Sequence, residues 1–85
     1  MADRLKVAVI SPERTVFQGE ADQVVVPTWN GEVGILRGHA PLLALLGEGE
    51  VRIRQGAADQ RFRIRGGFLQ VADDVVTVLS ERAEI

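Results

Sequence analysis

The sequence predicts an all-β domain, a sandwich or barrel of about eight short strands. Three observations point there. Alternation of apolar and polar residues with period two recurs along most of the 85 residues. Turn-forming Gly, Pro and Asp residues punctuate the alternating runs at regular intervals. The helix-compatible stretches, residues 42–46 and 81–85, are too short to be stable helices alone.

Each element follows from its residues. Residues 5–10, Leu-Lys-Val-Ala-Val-Ile, form a strand that Ser11-Pro12-Glu13 ends, because proline cannot donate to a ladder. Residues 15–18 form a second strand, closed by Gly19. Residues 23–26 are a β-branched run ended by Pro27, and three consecutive valines suggest burial on both faces. A short strand is expected at residues 32–36. Residues 42–46, Leu-Leu-Ala-Leu-Leu between Pro41 and Gly47, read as a short buried strand. Residues 51–54 and 61–65 alternate cleanly around a turn, which predicts a hairpin with Val51, Ile53, Phe62 and Ile64 facing the core. Gly66-Gly67 breaks the second of these strands. Residues 68–71 and 75–79 then pair across Ala72-Asp73-Asp74. No internal repeat or linker is visible, so residues 1–85 read as one domain.

Composition narrows the function classes. The chain has no cysteine, which removes disulfides and thiolate metal sites. A net charge of −2 offers no global attraction to nucleic acid or an acidic membrane. No apolar run approaches the roughly 18 residues of a membrane-spanning helix, and the N-terminus lacks a hydrophobic signal core. The reading is a soluble, non-secreted domain.

Residues 30–43 concentrate the special residues: three glycines, a proline and the only histidine, His39. A lone histidine makes a poor zinc site, which needs three or four protein ligands. A triad with Ser11 or Ser80 is arithmetically possible but has no nucleophile-elbow context. His39 is therefore a locally bonded loop residue or a partner contact. Gly31-Glu32-Val33-Gly34 does not match a phosphate loop. Five of the ten basic residues, Arg52, Arg54, Arg61, Arg63 and Arg65, fall on one face of the predicted hairpin. Like charges opposed across a hairpin destabilise it unless acids intervene, and Glu48, Glu50 and Asp59 are near enough to do so. That face is a patch for an acidic partner or a solvated, edge-protecting surface; interleaved aromatics that would favour nucleic acid are missing. Trp29, beside the loop, is a contact anchor or a lid over the core.

The run Gly31-Glu32-Val33-Gly34-Ile35-Leu36-Arg37-Gly38-His39-Ala40-Pro41-Leu42-Leu43 closely resembles the signature of the epsilon subunit of F-type ATP synthases. Residues 6–12, Phe17-Gln18-Gly19, residues 66–71 and residues 75–79 match in order and spacing, so the resemblance covers essentially the whole chain. It implies a flattened β-sandwich of about eight to ten short strands. It also implies a non-catalytic rotor role without a cofactor or metal. The domain would sit at the foot of the central stalk, bind the gamma subunit and rest on the polar loops of the membrane c-ring, so coupling proton translocation to ATP synthesis. The membrane is then met only through the complex, at the cytoplasmic face of the inner membrane. By position, Glu32 matches the family acid on the c-ring side, and Ser11 and His39 match residues on the gamma side. Gly31, Gly34, Gly38, Ala40 and Pro41 shape the loop. Glu32 and His39 are expected to be exposed at one end or edge of the sandwich.

The sequence departs from the family in two places. Arg37 stands where the family usually has proline, which adds charge and removes a fixed φ. The chain stops at Ile85, where the family usually continues into a two-helix domain that inhibits ATP hydrolysis and in some members binds ATP. That brake and its nucleotide site are not carried over. Two rivals remain: a small β-sandwich ligand-binding module using the arginine face or Trp29, and a small hydrolase using His39. The hydrolase needs an acid and a nucleophile within about 3 Å of the histidine.

Overall fold

The computed structural model describes residues 4–84, and Ile85 of the predicted tail lies outside them. Eight strands follow one another: β1 (Leu5–Ile10), β2 (Thr15–Ala21), β3 (Gln23–Thr28), β4 (Gly31–Leu36), β5 (Leu42–Leu45), β6 (Glu48–Gln55), β7 (Ala58–Ala72) and β8 (Val75–Glu84). They hydrogen-bond into one sheet in the order β2-β1-β8-β7-β6-β3-β4, with β5 paired to β7 off this path. All neighbours are antiparallel except β1 and β8.

The two longest strands fold this sheet into a sandwich. The first half of β7 pairs with β6, and its second half pairs with β5. β8 follows β7 along both halves. The bend lies at Gly66 and Gly67, whose φ values are +66° and +107°. A Cβ on Gly67 would overlap the Leu79 carbonyl, so only glycine permits the close approach of β7 to β8 at the bend. Ser80 is buried here and serves the backbone groups that the bend displaces. Its hydroxyl donates to the Arg82 carbonyl at 2.5 Å and accepts from the amides of Arg82 and Arg65 at 3.2 and 3.3 Å. Gly66-Gly67 thus bends a continuous strand rather than breaking it, because the ladder resumes in the same register on both sides.

The core lies between the layers. Leu5, Val7, Val9, Val24, Val26, Ile35, Leu69, Val71, Val76 and Val78 are buried with the predicted quartet Val51, Ile53, Phe62 and Ile64. Phe17 of β2 and Phe62 of β7 meet across the layers with ring centroids 5.6 Å apart.

Other expectations need correction. Val25 is only partly buried between Val24 and Val26, so β3 alternates instead of burying both faces. Residues 81–84 continue β8, where Arg82, Ala83 and Glu84 pair with Arg65, Ile64 and Arg63 in the middle of β7, and these ladder contacts override a weak helix preference. Residues 42–45 do form a strand, but Leu43 and Leu45 point outward and are 71% and 52% exposed. β5 covers one face of the core and leaves its own outer face open.

Candidate functional site

The signature motif occupies β4 and the turn after it. The His39 amide donates to the Leu36 carbonyl at 3.1 Å, closing a four-residue turn over 36–39. Gly38 is its third residue, with φ of +83°, the arrangement of a type II turn. The Gly38 amide donates to Oδ1 of Asp74 at 2.6 Å. Nδ1 of the half-buried His39 lies 2.6 Å from the Ala40 carbonyl, and since a carbonyl only accepts, Nδ1 carries the proton. Ala40 and Pro41, both exposed, lead into β5. Gly31 closes the hairpin turn after Trp29 and Asn30, where Thr28 Oγ1 donates to its carbonyl at 2.5 Å. Gly34 lies within β4 and needs no special φ.

Glu32 is the second residue of β4 and accepts from Arg52 Nη2 of β6 at 3.2 Å. At 43% and 58% side-chain exposure this pair contributes at most about 1 kcal/mol, so the carboxylate stays available. Ser11 closes the β1–β2 turn: its hydroxyl donates to the Arg14 carbonyl at 3.1 Å and accepts from the Arg14 amide at 3.3 Å.

These residues do not converge. Glu32 lies near the start of β4, an edge strand, and His39 lies three residues beyond its end. β1 and β8 run parallel from Lys6 opposite Val75 to Ile10 opposite Leu79. The Asp74 that holds the His39 loop precedes that run and Ser11 follows it, which separates them by roughly 20 Å at ~3.3 Å per residue. Ser80 is committed to the β7 bend. Among the described residues no group of three or more His, Cys, Asp or Glu residues is placed to hold a metal. Glu32, His39 and Ser11 are instead spread over the outer surface of the domain.

That surface has two contrasting faces. On the outer side of one layer, register aligns Leu45 with Phe68, Phe68 with Leu79 and Leu79 with Ile10, an apolar row across four strands. Phe68 and Leu79 are about half exposed. Ser11 shares an open depression with Phe68 and Leu79, while Pro41 shares another with Leu43, Gln70 and Ala72. Sequence reasoning missed this row. Its signal was present in residues 68–71 and 75–79, where both alternating sets are largely apolar and only one set can face the core.

The outer side of the other layer carries the five arginines, all exposed. Register sets Glu48 opposite Arg65, Glu50 opposite Arg63 and Asp59 opposite Arg54, the last pair at 3.8 Å. Arg52 and Arg61 are the like-charged pair across β6 and β7, and Arg52 turns to Glu32. The groove containing Arg63 and Arg65 also contains Glu48, Arg82 and Glu84, which leaves it nearly balanced in charge. At the end of this layer Asp22 accepts from the Gly56 amide at 2.7 Å and from Arg4 at 3.0 Å. The Gly56 hydrogen bond, then the Arg4 guanidinium, hold its carboxyl below the usual value of 3.8. Trp29 stands at the tip of the β3–β4 hairpin, 70% exposed, and does not cover the core.

The chain matches known proteins over nearly its whole length. Residues 4–85 match the ATP synthase delta/epsilon chain β-sandwich domain. The ATP synthase epsilon chain of Leptospira borgpetersenii is 43% identical over 84 residues, covering 99% of this chain and 66% of that protein. That of Rhodopirellula baltica is 44% identical over 79 residues, covering 93% and 62%, and that of Nostoc sp. 45% over 82 residues, covering 94% and 60%. The chain thus spans about three-fifths to two-thirds of the length of these relatives. In fold it is similar to a chain of the Euglena gracilis mitochondrial ATP synthase OSCP/F1/c-ring structure, with a TM-score of 0.88 and 23% identity over 98% of this chain and 54% of that one. A chain of the Tetrahymena thermophila mitochondrial ATP synthase central stalk/c-ring structure gives a TM-score of 0.77 with 16% identity, over 95% of this chain and 66% of that one. With the signature motif on an edge strand, a sandwich folded at Gly66-Gly67 and a family match over residues 4–85, the chain belongs to the ATP synthase delta/epsilon family, as its β-sandwich domain.

Proposed function

We propose that this domain is a non-catalytic rotor module of an F-type ATP synthase, bridging the gamma subunit and the c-ring loops and coupling proton translocation to ATP synthesis. It would work at the cytoplasmic face of the inner membrane, held there through the complex. The apolar row from Leu45 to Ile10 carries this reading. Contiguous exposed apolar surface is a feature of protein–protein contacts, and it supports this reading. Ser11 and Pro41 border that face at two ends, as residues framing one extended partner would. Glu32, on the edge strand, is left to the c-ring loops, with His39 and Ser11 on the gamma side. A ligand-binding module is less well supported: the arginines are interleaved with acids and the depressions lie open on strand surfaces.

The test is purification of the chain from solubilised membranes of cells that express it within their enzyme. Gamma and c-ring subunits should copurify with the parent chain. Glu32→Lys should lower assembly or proton-driven ATP synthesis while the domain keeps its thermal unfolding midpoint. Full ATP synthesis in that variant would remove Glu32 from the c-ring contact.

A further inference from the structure

We infer that Asp74 is a positioning residue for the His39 loop, a clasp that fixes the loop's path from the β7–β8 turn. Ala72 pairs with Val75, so Asp73 and Asp74 are the whole connection between β7 and β8. Both have positive φ, 51° and 62°, as a two-residue type I′ turn requires. Glycine or asparagine satisfies the second position of such a turn more readily than aspartate. The side chain that aspartate brings to this position makes a specific contact. Oδ1 of Asp74 accepts the Gly38 amide at 2.6 Å, across 36 residues of sequence. The Asp74 carbonyl accepts the Lys6 amide at 2.9 Å, which anchors the acceptor to β1 in the body of the sheet.

The loop has reason to need such a tie. In its turn over 36–39 the second position is Arg37, where a proline would preset φ and arginine does not. Gly38, the third residue, has the greatest backbone freedom of any residue type, and a Cβ there would meet nothing within 4 Å, so packing does not hold it. The hydrogen bonds of His39, to the Leu36 and Ala40 carbonyls, stay within the segment, whereas the one from the Gly38 amide to Asp74 ties it to another element.

Three variants separate the clasp from the turn strain. Asp74→Gly suits the positive φ and removes the acceptor. Asp74→Asn tolerates the same backbone and keeps a carbonyl oxygen in place. Asp74→Ala removes the acceptor and keeps the strain. Amide hydrogen exchange on the 85-residue chain, read residue by residue by NMR, should show Gly38 and His39 exchanging at least tenfold faster in Asp74→Gly, with the core amides of β1, β7 and β8 as protected as in the parent. Asp74→Asn should stay within about threefold of the parent. Parent-like exchange at Gly38 and His39 in Asp74→Gly overturns the inference. So does parallel loss across the core, because it would mark a general structural role. The consequence for assembly rests on the gamma-side contact of His39 proposed above, and a second readout isolates it. If the clasp and the contact both hold, Asp74→Gly and His39→Ala both weaken copurification of gamma. If His39→Ala has no effect while the exchange result stands, the contact fails and the clasp survives.

Discussion

The two outer faces of the sandwich are made from the same two strands and differ in almost every physical respect. On one side of the Gly66-Gly67 bend, β7 and β8 present Phe68 and Leu79 outward, joined by Leu45 and Ile10. On the other side they present Arg61, Arg63, Arg65, Arg82 and Glu84. The apolar face leaves hydrophobic area in water that no neighbour within the domain covers. The charged face is matched in large part within itself: Glu48, Glu50, Asp59 and Glu84 oppose arginines across the ladder, and Arg52, opposite Arg61, turns to Glu32. A strand that changes surface chemistry at its bend lets one small sheet be adhesive on one side and solvated on the other. The bend is therefore what a mutation should attack first.

Gly67→Ala should produce the largest effect. It places a Cβ onto the Leu79 carbonyl at a backbone conformation that alanine disfavours. A loss on the order of 3 kcal/mol is expected, enough to unfold a marginal domain at ordinary temperature. Urea denaturation measures it, and a loss under about 1 kcal/mol would mean that β7 can bend against β8 without glycine.

A paired substitution tests the faces themselves. Phe68→Ser with Leu79→Ser removes one cross-strand apolar pair that is half in water, so the cost to folding is about 1 kcal/mol or less. Copurification of gamma should fall by about 30-fold, the size of a contact hot spot worth about 2 kcal/mol. Arg61→Ser with Arg63→Ser should leave it within about threefold. If the arginine pair carries the larger effect, the roles of the two faces are reversed.

How much of this was legible beforehand depended on whether the signal was local. The hairpin of β6 and β7 was legible because Val51, Ile53, Phe62 and Ile64 alternate with arginines, and burial follows directly from period two. The acids that neutralise those arginines were legible too, because they are neighbours in sequence. The continuity of β7 was not. Two glycines signal an end as well as a bend, and the deciding group is the Ser80 hydroxyl on another strand. The leucines of β5 misled for a related reason: hydrophobicity says that a residue prefers cover, not that the domain itself supplies it. Glycine and proline marked the signature turn, but the Asp74 hydrogen bond depends on the β7–β8 register and has no local trace.

The smallest effect expected separates the faces by titration. Asp22 closes the charged layer, and its carboxyl is held low by the Gly56 amide first and by Arg4 second. A depressed folded-state value means that the ionised form is favoured by folding. Its contribution to stability is therefore fully present above the unfolded value, near 3.9, and fades as pH falls through the depressed folded value. Asp22→Ala should lower the thermal midpoint at about pH 6, and the gap to the parent should narrow as pH falls below the unfolded value. The apolar-face variants carry no titrating group in their changed positions, so their gap to the parent should not follow this course. A gap for Asp22→Ala that stays constant with pH would show that Asp22 acts through the shape of its turn and not through its charge.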